Sequence, residues 1–302
     1  MEIDFDNAKP ILIAGPTASG KSALGITLAQ KYNGVVINAD ALQIYRQWHI
    51  LTARPDDSET TQCPHLMYGH VDIGTPYSVG HWINDLRICL QNVAAQGLRP
   101  IILGGTGLYF QMLTQGIAAV PDIPDTVKSQ AEVIEETNGK HAFAQILAQS
   151  DPKTLSRIDA QNPVRTRRAW EVLTATGKGL SDWQDDTPPP LLNIDDTIPV
   201  QLVCDTDWLN ARIARRFDLM IDAGALDECR AVLNAGLWDE AHPSCKAIGA
   251  KELIGHIQNG DDLDHAVELA KIQTRRYAKR QRTWFRSKMS NWHALQIDNV
   301  QV

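Results

Sequence analysis

Residues 15–22 read Gly15-Pro16-Thr17-Ala18-Ser19-Gly20-Lys21-Ser22. In this G-x-x-x-x-G-K-S spacing the glycines let backbone N–H groups turn inward onto a di- or triphosphate. Lys21 adds a mobile positive charge, and Ser22 offers a hydroxyl to Mg²⁺. Such a loop works between a strand and a helix. The apolar run Ile11-Leu12-Ile13-Ala14 precedes it and a helix-periodic apolar stretch over residues 23–28 follows, so the spacing sits in the context it needs. The chain is thus read as binding a polyphosphate. Which polyphosphate, and whether it donates a phosphoryl group, the loop leaves open.

The elements that must position this loop can be followed along the chain. Residues 34–39 form a short, buried-type strand ending at Asp40, where the strands of open α/β sheets deliver functional groups. Ser78 caps a helix with apolar positions Val79, Trp82, Ile83, Leu86, Leu90 and Val93, and Gly97 lies beyond its end. Residues 100–103 are a further buried strand, opening into Gly104-Gly105-Thr106. The alternation predicts a parallel sheet. From residue 121 helical patterns dominate, near 125–137, 141–149 and 163–176, with no strand until 199–204; Thr187-Pro188-Pro189-Pro190 marks a loop. The expected fold is α/β: a P-loop NTPase-like parallel-sheet core from residues 1–120 and 198–302, with a helical insertion at 121–197. Further helices are expected at 208–221, 226–235, 246–258 and 264–288.

Composition sets bounds. A chain of 302 residues with 43% hydrophobic and 22% charged side chains is ordinary for one large or two smaller globular domains. Twenty-nine basic against 36 acidic residues give −7, which opposes indiscriminate nucleic-acid adhesion but leaves room for a local basic face. The five cysteines are widely spaced with no C-x-x-C pair, so reduced structural thiols are expected. The nine histidines show no metal-ligand spacing, and His65 is read as structural. An acidic amino terminus (Glu2, Asp4, Asp6) unlike a signal peptide, and no apolar run of membrane-spanning length, lead to the expectation of a cytoplasmic protein without a membrane partner.

Asp40-Ala41-Leu42-Gln43-Ile44-Tyr45-Arg46, taken with the phosphate loop, Gly104-Gly105-Thr106 and Leu108-Tyr109-Phe110, resembles the tRNA dimethylallyltransferase family. Thr52-Ala53-Arg54-Pro55 is similar to that family's T-A-K-P and Pro64-His65 to its P-H. Residues 162–168 are similar to its N-D-P-x-R-x-x-R, and residues 279–286 to its K-R-Q-x-T-W-x-R. The resemblance implies transfer of the dimethylallyl group of dimethylallyl diphosphate to N6 of the adenine at tRNA position 37, on the 3′ side of the anticodon. It implies an anticodon stem-loop as partner and Mg²⁺ as cofactor; a monomer is expected, though the sequence itself does not fix the oligomeric state.

In that reading Gly15 through Ser22 grip the departing diphosphate, helped by Arg216 from the family's R-I-x-x-R. Ser22 holds Mg²⁺, and Thr106 donates to the bridging or nearby oxygens. Asp40 takes the N6 proton; its alternative is an outer-sphere Mg²⁺ ligand. Carried over as tRNA contacts are Asp40, Ala41, Leu42 and Gln43, then Lys128, then Val164, Arg165, Thr166, Arg167 and Arg168. Lys246, Ala247, Ile248, Gly249, Ala250 and Lys251 follow, and the basic stretch Lys279, Arg280, Gln281, Arg282, Thr283, Trp284, Phe285 and Arg286 completes them. On residue type alone these basic stretches also read as solvated helix surface.

Ala41 stands where the family commonly has Ser, and Gln47-Trp48-His49-Ile50-Leu51 replaces its G-M-D-I-G. Leu66 stands where His or Arg is usual. The rival readings are an adenylate isopentenyltransferase acting on free nucleotide and a small-molecule P-loop kinase. A nucleotide switch would need an N-K-x-D that the sequence does not contain.

Overall fold

The computed structural model describes residues 3–297. The chain divides into two compact units, Met1–Thr114 with Leu191–Val302, and Gln115–Pro190. Both edges of the inserted unit fall earlier than the 121 and 197 expected. In chain order the elements are β1 (Ile11–Ala14), α1 (Lys21–Lys31), β2 (Gly34–Asn38), α2 (Asp57–Thr60), β3 (His65–Leu66), α3 (Val79–Ala95), β4 (Arg99–Gly104) and α4 (Gly107–Gln115). The inserted unit holds α5 (Asp125–Asn138), α6 (Ala142–Ser150), α7 (Pro152–Arg157), α8 (Pro163–Thr176) and α9 (Leu180–Asp185). The chain closes with β5 (Ile198–Val203), α10 (Thr206–Asp222), α11 (Ala225–Asn234), α12 (Ala250–Asn259), α13 (Leu263–Lys288) and β6 (His293–Gln296).

The sheet is parallel throughout, in the order β3-β2-β4-β1-β5-β6, and places β1 between β4 and β5 with Ile11 opposite both Ile101 and Ile198. Every residue of β1 and β2 is buried, as parallel strands covered on both faces must be. Ile13, Val36, Leu103, Val200 and Leu202 form part of the core that fixes the sheet. A second cluster joins Trp48, Phe217, Cys229 and Leu253 in the same unit. The inserted unit has its own core around Phe143 and Trp170, whose ring centroids lie 5.4 Å apart.

Ser78 caps α3 as expected: its hydroxyl accepts the His81 N–H, and His81 Nδ1 accepts the Ser78 N–H. The expected helix at 246–258 starts only at Ala250. A 3₁₀ turn occupies Pro243–Lys246, and Gly249 turns into the left-handed region at φ 94°. That left-handed backbone breaks the helical run before Ala250, and because a Cβ would also sit 2.7 Å from the Phe217 ring the position suits glycine. All five cysteines are free, and no described helix is long and apolar enough to cross a membrane.

Candidate active site

β1 hands the chain to the loop at the carboxyl end of the sheet, where open parallel sheets place ligands. Gly20, at φ 90°, turns the loop into α1, and no side chain caps the first amides of that helix. Those amides, with no acidic residue in the first turn, form an anion site. Ala18 also has positive φ, 63°, a conformation costing a non-glycine residue about 1–2 kcal/mol. Ser19 Oγ is buried without a partner among the described residues, a donor aimed at nothing in the protein. Gly15 must be glycine, because a Cβ would come within 2.9 Å of Ser19 Oγ and 3.0 Å of Leu202 Cβ. Lys21 Nζ donates to the Pro16 carbonyl at 2.8 Å. Burial pulls its pKa down to about 8 and the nearby Arg216 adds to this, while Asp40 opposes it.

Asp40 and Thr106 arrive from the neighbouring strand ends, which are laced together. Ala39 N–H donates to Leu103 O at 2.7 Å, Thr106 N–H to Ala39 O at 3.3 Å and Gly15 N–H to Gly104 O at 3.4 Å. Asp40 is oriented at both ends: its N–H donates to Asn38 Oδ1 at 2.8 Å, and its Oδ1 accepts Leu42 N–H at 3.0 Å. Thr106 Oγ1 accepts the Ala41 N–H at 2.9 Å, and its hydroxyl proton faces Tyr277 and the site. The missing serine hydroxyl at position 41 is not needed for that contact, since the backbone makes it.

Around these groups lies a cavity of about 530 Å³ lined by Lys21, Ser22, Arg54, Arg212, Arg215 and Arg216 and by the acids Asp40 and Glu59. Five cations against two acids make it a slot for a polyanion. Arg216 donates to Thr17 Oγ1, and burial lowers its pKa to about 10. Arg212 Nε donates to Ala18 O at 2.9 Å, which pins the loop from the α10 side. A narrower cleft shares Thr17, Asp40, Thr52 and Arg216 with this cavity and is otherwise lined largely by Leu42, Leu51, Ile213, Phe217, Met220 and Ile248. Asp40 therefore stands where a cationic slot meets a much smaller cleft, of about 40 Å³, whose wall mixes those apolar side chains with Thr274 and Tyr277.

The residues present suit Mg²⁺ in one way only. Among the described residues no group of three or more His, Cys, Asp or Glu side chains could hold a metal. The Ser22 hydroxyl on the cavity wall fits an ion that arrives with a diphosphate and keeps water on its other positions, the usual habit of Mg²⁺.

One functional residue was not legible in the sequence. Glu228 of α11 accepts the backbone N–H groups of His49, Ile50 and Leu51 at 2.5, 2.8 and 2.9 Å, fixing the loop that brings Leu51, Thr52 and Arg54 to the cavities. This clamp sits where the sequence lacks the family's glycines. Glu228 carries no local motif, so no sequence signal could have found it.

The residues carried over as RNA contacts divide by burial. Lys246, Lys251, Lys279, Arg280, Thr283 and Arg286 are exposed on the first unit, and Lys128, Val164, Arg165 and Arg168 on the inserted one. Lys128 is paired with Asp125 at 2.8 Å and Lys251 with Glu240 at 2.5 Å. Arg167 is held by Glu171, Glu135 and Glu132, so it is first a brace between α5 and α8. Arg282 donates to Thr206 at the start of α10, and Trp284 lies half-buried against Gly107. Ala41, Leu42, Gln43 and Ile248 are half-buried. Gln43 donates to the Thr52 and Ala53 carbonyls at 2.9 and 2.8 Å. Thr166, Ala247, Gly249, Ala250, Gln281 and Phe285 are buried, unlike the exposed basic residues around them. Thr166 bonds back to its own helix, Phe285 is core, and Gln281 is turned to the phosphate loop.

The family model described as IPP transferase matches residues 43–288, and one described as Isopentenyl transferase matches residues 9–69. A tRNA dimethylallyltransferase of Cereibacter sphaeroides is 49% identical over 97% of this chain and 91% of its own length. One of Dinoroseobacter shibae is 51% identical over 94% of this chain and 93% of its own. Among solved structures, the tRNA isopentenylpyrophosphate transferase of Bacillus halodurans matches with a TM-score of 0.68 at 30% identity, over 96% of this chain and 90% of that one. A eukaryotic dimethylallyltransferase described as acting on tRNA matches with a TM-score of 0.83 at 27% identity, over 96% of this chain and 74% of that one.

Proposed function

The chain belongs to the tRNA dimethylallyltransferase family, and on that premise we propose that it moves the dimethylallyl group of dimethylallyl diphosphate to N6 of the adenine 3′ to the anticodon. The observation that carries this reading is the position of Asp40, at the junction of a cation-lined cavity and a small cleft with Leu42, Leu51, Ile213, Phe217, Met220 and Ile248 in its wall. The cavity suits the diphosphate and the cleft suits five apolar carbons.

In the reaction the allylic C–O bond breaks and its electron pair leaves with the diphosphate. Lys21, Arg216, the loop amides and the Thr106 hydroxyl meet the charge that grows there, an interaction worth most in a site closed to water. The new bond forms from N6 to the allylic carbon, and the N6 proton passes to Asp40, a transfer of the kind that contributes about 10²–10⁴ in rate. Mg²⁺, held by Ser22 and the diphosphate oxygens, would add charge neutralisation. The adenine must leave its stack to reach Asp40, at a cost of a few kcal/mol that a single-stranded loop keeps low. The exposed basic residues of α13 and the first turns of α8 supply the phosphate contacts. The protein acts in the cytoplasm as a monomer, with its thiols reduced.

The test is mass analysis of tRNA nucleosides after incubation with the purified protein, dimethylallyl diphosphate and Mg²⁺. A five-carbon adduct on adenosine beside the anticodon is expected. An unmodified tRNA, or faster turnover on free AMP, overturns the reading.

A further inference from the structure

α13 has two unlike faces. Arg276, Lys279, Arg280 and Arg286 are exposed on one, while Ala278, Gln281 and Phe285 are buried on the other. Gln281 is 5% exposed, and both ends of its amide are used. Its Oε1 accepts the Thr17 N–H at 2.9 Å and its Nε2 donates to the Gly105 carbonyl at 2.9 Å. Tyr277, one turn earlier on the same face, lies beside Gln281 and Thr106.

The two bonded groups belong to opposite halves of the site. Thr17 lies in the loop that takes the diphosphate. Gly105 precedes Thr106, whose hydroxyl holds the Ala41 N–H beside Asp40. A Cβ on Gly105 would lie 2.1 Å from Gln281 Nε2 and 2.9 Å from Asp40 Oδ2, so amide and carboxylate rest against the same glycine. One buried side chain thus spans the loop of the leaving group and the loop of the base. From this geometry we infer that Gln281 is a positioning residue that sets the separation between the diphosphate and Asp40, and that it does not contact RNA.

The inference rests on the proposed reaction, in which the allylic carbon must lie between those two groups. Displacing such groups by about 1 Å costs on the order of 10² in rate. Gln281→Met keeps the length of the side chain and loses both bonds. The expected result is a kcat about 10- to 100-fold lower in single-turnover prenyl transfer, with the KM for tRNA within about two-fold of the parent. Gln281→Glu keeps an oxygen for the Thr17 N–H but has no donor for Gly105, and a lower kcat is expected here too. Should Gln281→Met fail to fold, by circular dichroism and melting, Gln281→Glu carries the test alone. A kcat unchanged within about two-fold, or a loss confined to the KM for tRNA, overturns the inference. A parent protein that leaves tRNA unmodified would overturn the proposed reaction instead, so the two failures are distinguishable.

Discussion

Replacing Asp40 by Asn keeps an oxygen for the Leu42 N–H and removes the negative charge, so the local backbone is held while the base is lost. Asp40→Asn should lower kcat by about 10²–10⁴ with little change in donor affinity. Binding of a non-reacting thiolodiphosphate analogue, measured beside single-turnover rates, separates this from a metal-holding role, in which donor affinity would fall first. Lys21 allows a second prediction. In the free protein it titrates near 8, so it is cationic below that pH and loses its charge as the pH rises through it. The kcat/KM for the donor, which reports the free enzyme, should fall above about pH 8. kcat should hold to higher pH, because bound diphosphate favours the ammonium. Asp40 supports the Lys21 charge, so in Asp40→Asn the break in donor binding against pH should move lower. Both residues were legible in the sequence, Lys21 from its spacing and Asp40 from the end of a buried strand. Gln281 was visible only as one member of a basic stretch, since residue type does not say which face of a helix turns inward.

At the scale of elements, α8 separates arginines that look alike in sequence. Arg167 reaches Glu171 at 2.8 Å and Glu135 at 3.1 Å, and its side chain is 27% exposed, whereas Arg165 is exposed. Arg167→Ala should destabilise the inserted unit by about 1–3 kcal/mol, because it strands two carboxylates. Arg165→Ala should leave the melting transition in place and weaken tRNA binding. Denaturant unfolding and filter binding on the two variants check this, and equal losses of stability would count against the assignment. Legibility followed burial. Runs such as Ile11-Leu12-Ile13-Ala14 announced the central strands, because a strand covered on both faces is apolar at successive positions. β3 has two residues and β6 is largely exposed, so neither edge strand leaves an apolar run to read. α12 starts late because Gly249 takes a left-handed φ of 94°, which the apolar spacing over 246–258 does not signal.

For the molecule as a whole, a net charge of −7 opposes the approach of a polyanion, so tRNA must be met by local charge. In the proposed reading the outer face of α13 offers it through Arg276, Lys279, Arg280, Arg286 and Lys288, all exposed to solvent. Phosphate contacts of this kind release counterions, and each one adds about 0.7–0.9 to the slope of log affinity against log salt. Removing Lys279, Arg280 and Arg286 together should therefore flatten the slope for tRNA by about 2–3. The donor behaves differently. Lys21 and Arg216 are half-buried about the phosphate loop, where salt screens less than at the open surface, so donor affinity should change less over the same range. Titrating salt against both substrates, in the parent and in the triple variant, measures the two slopes in one experiment. Steep dependence for tRNA with shallow dependence for the donor is the expected pattern. An unchanged tRNA slope in the triple variant would move the RNA footprint off α13 while leaving the donor site as described.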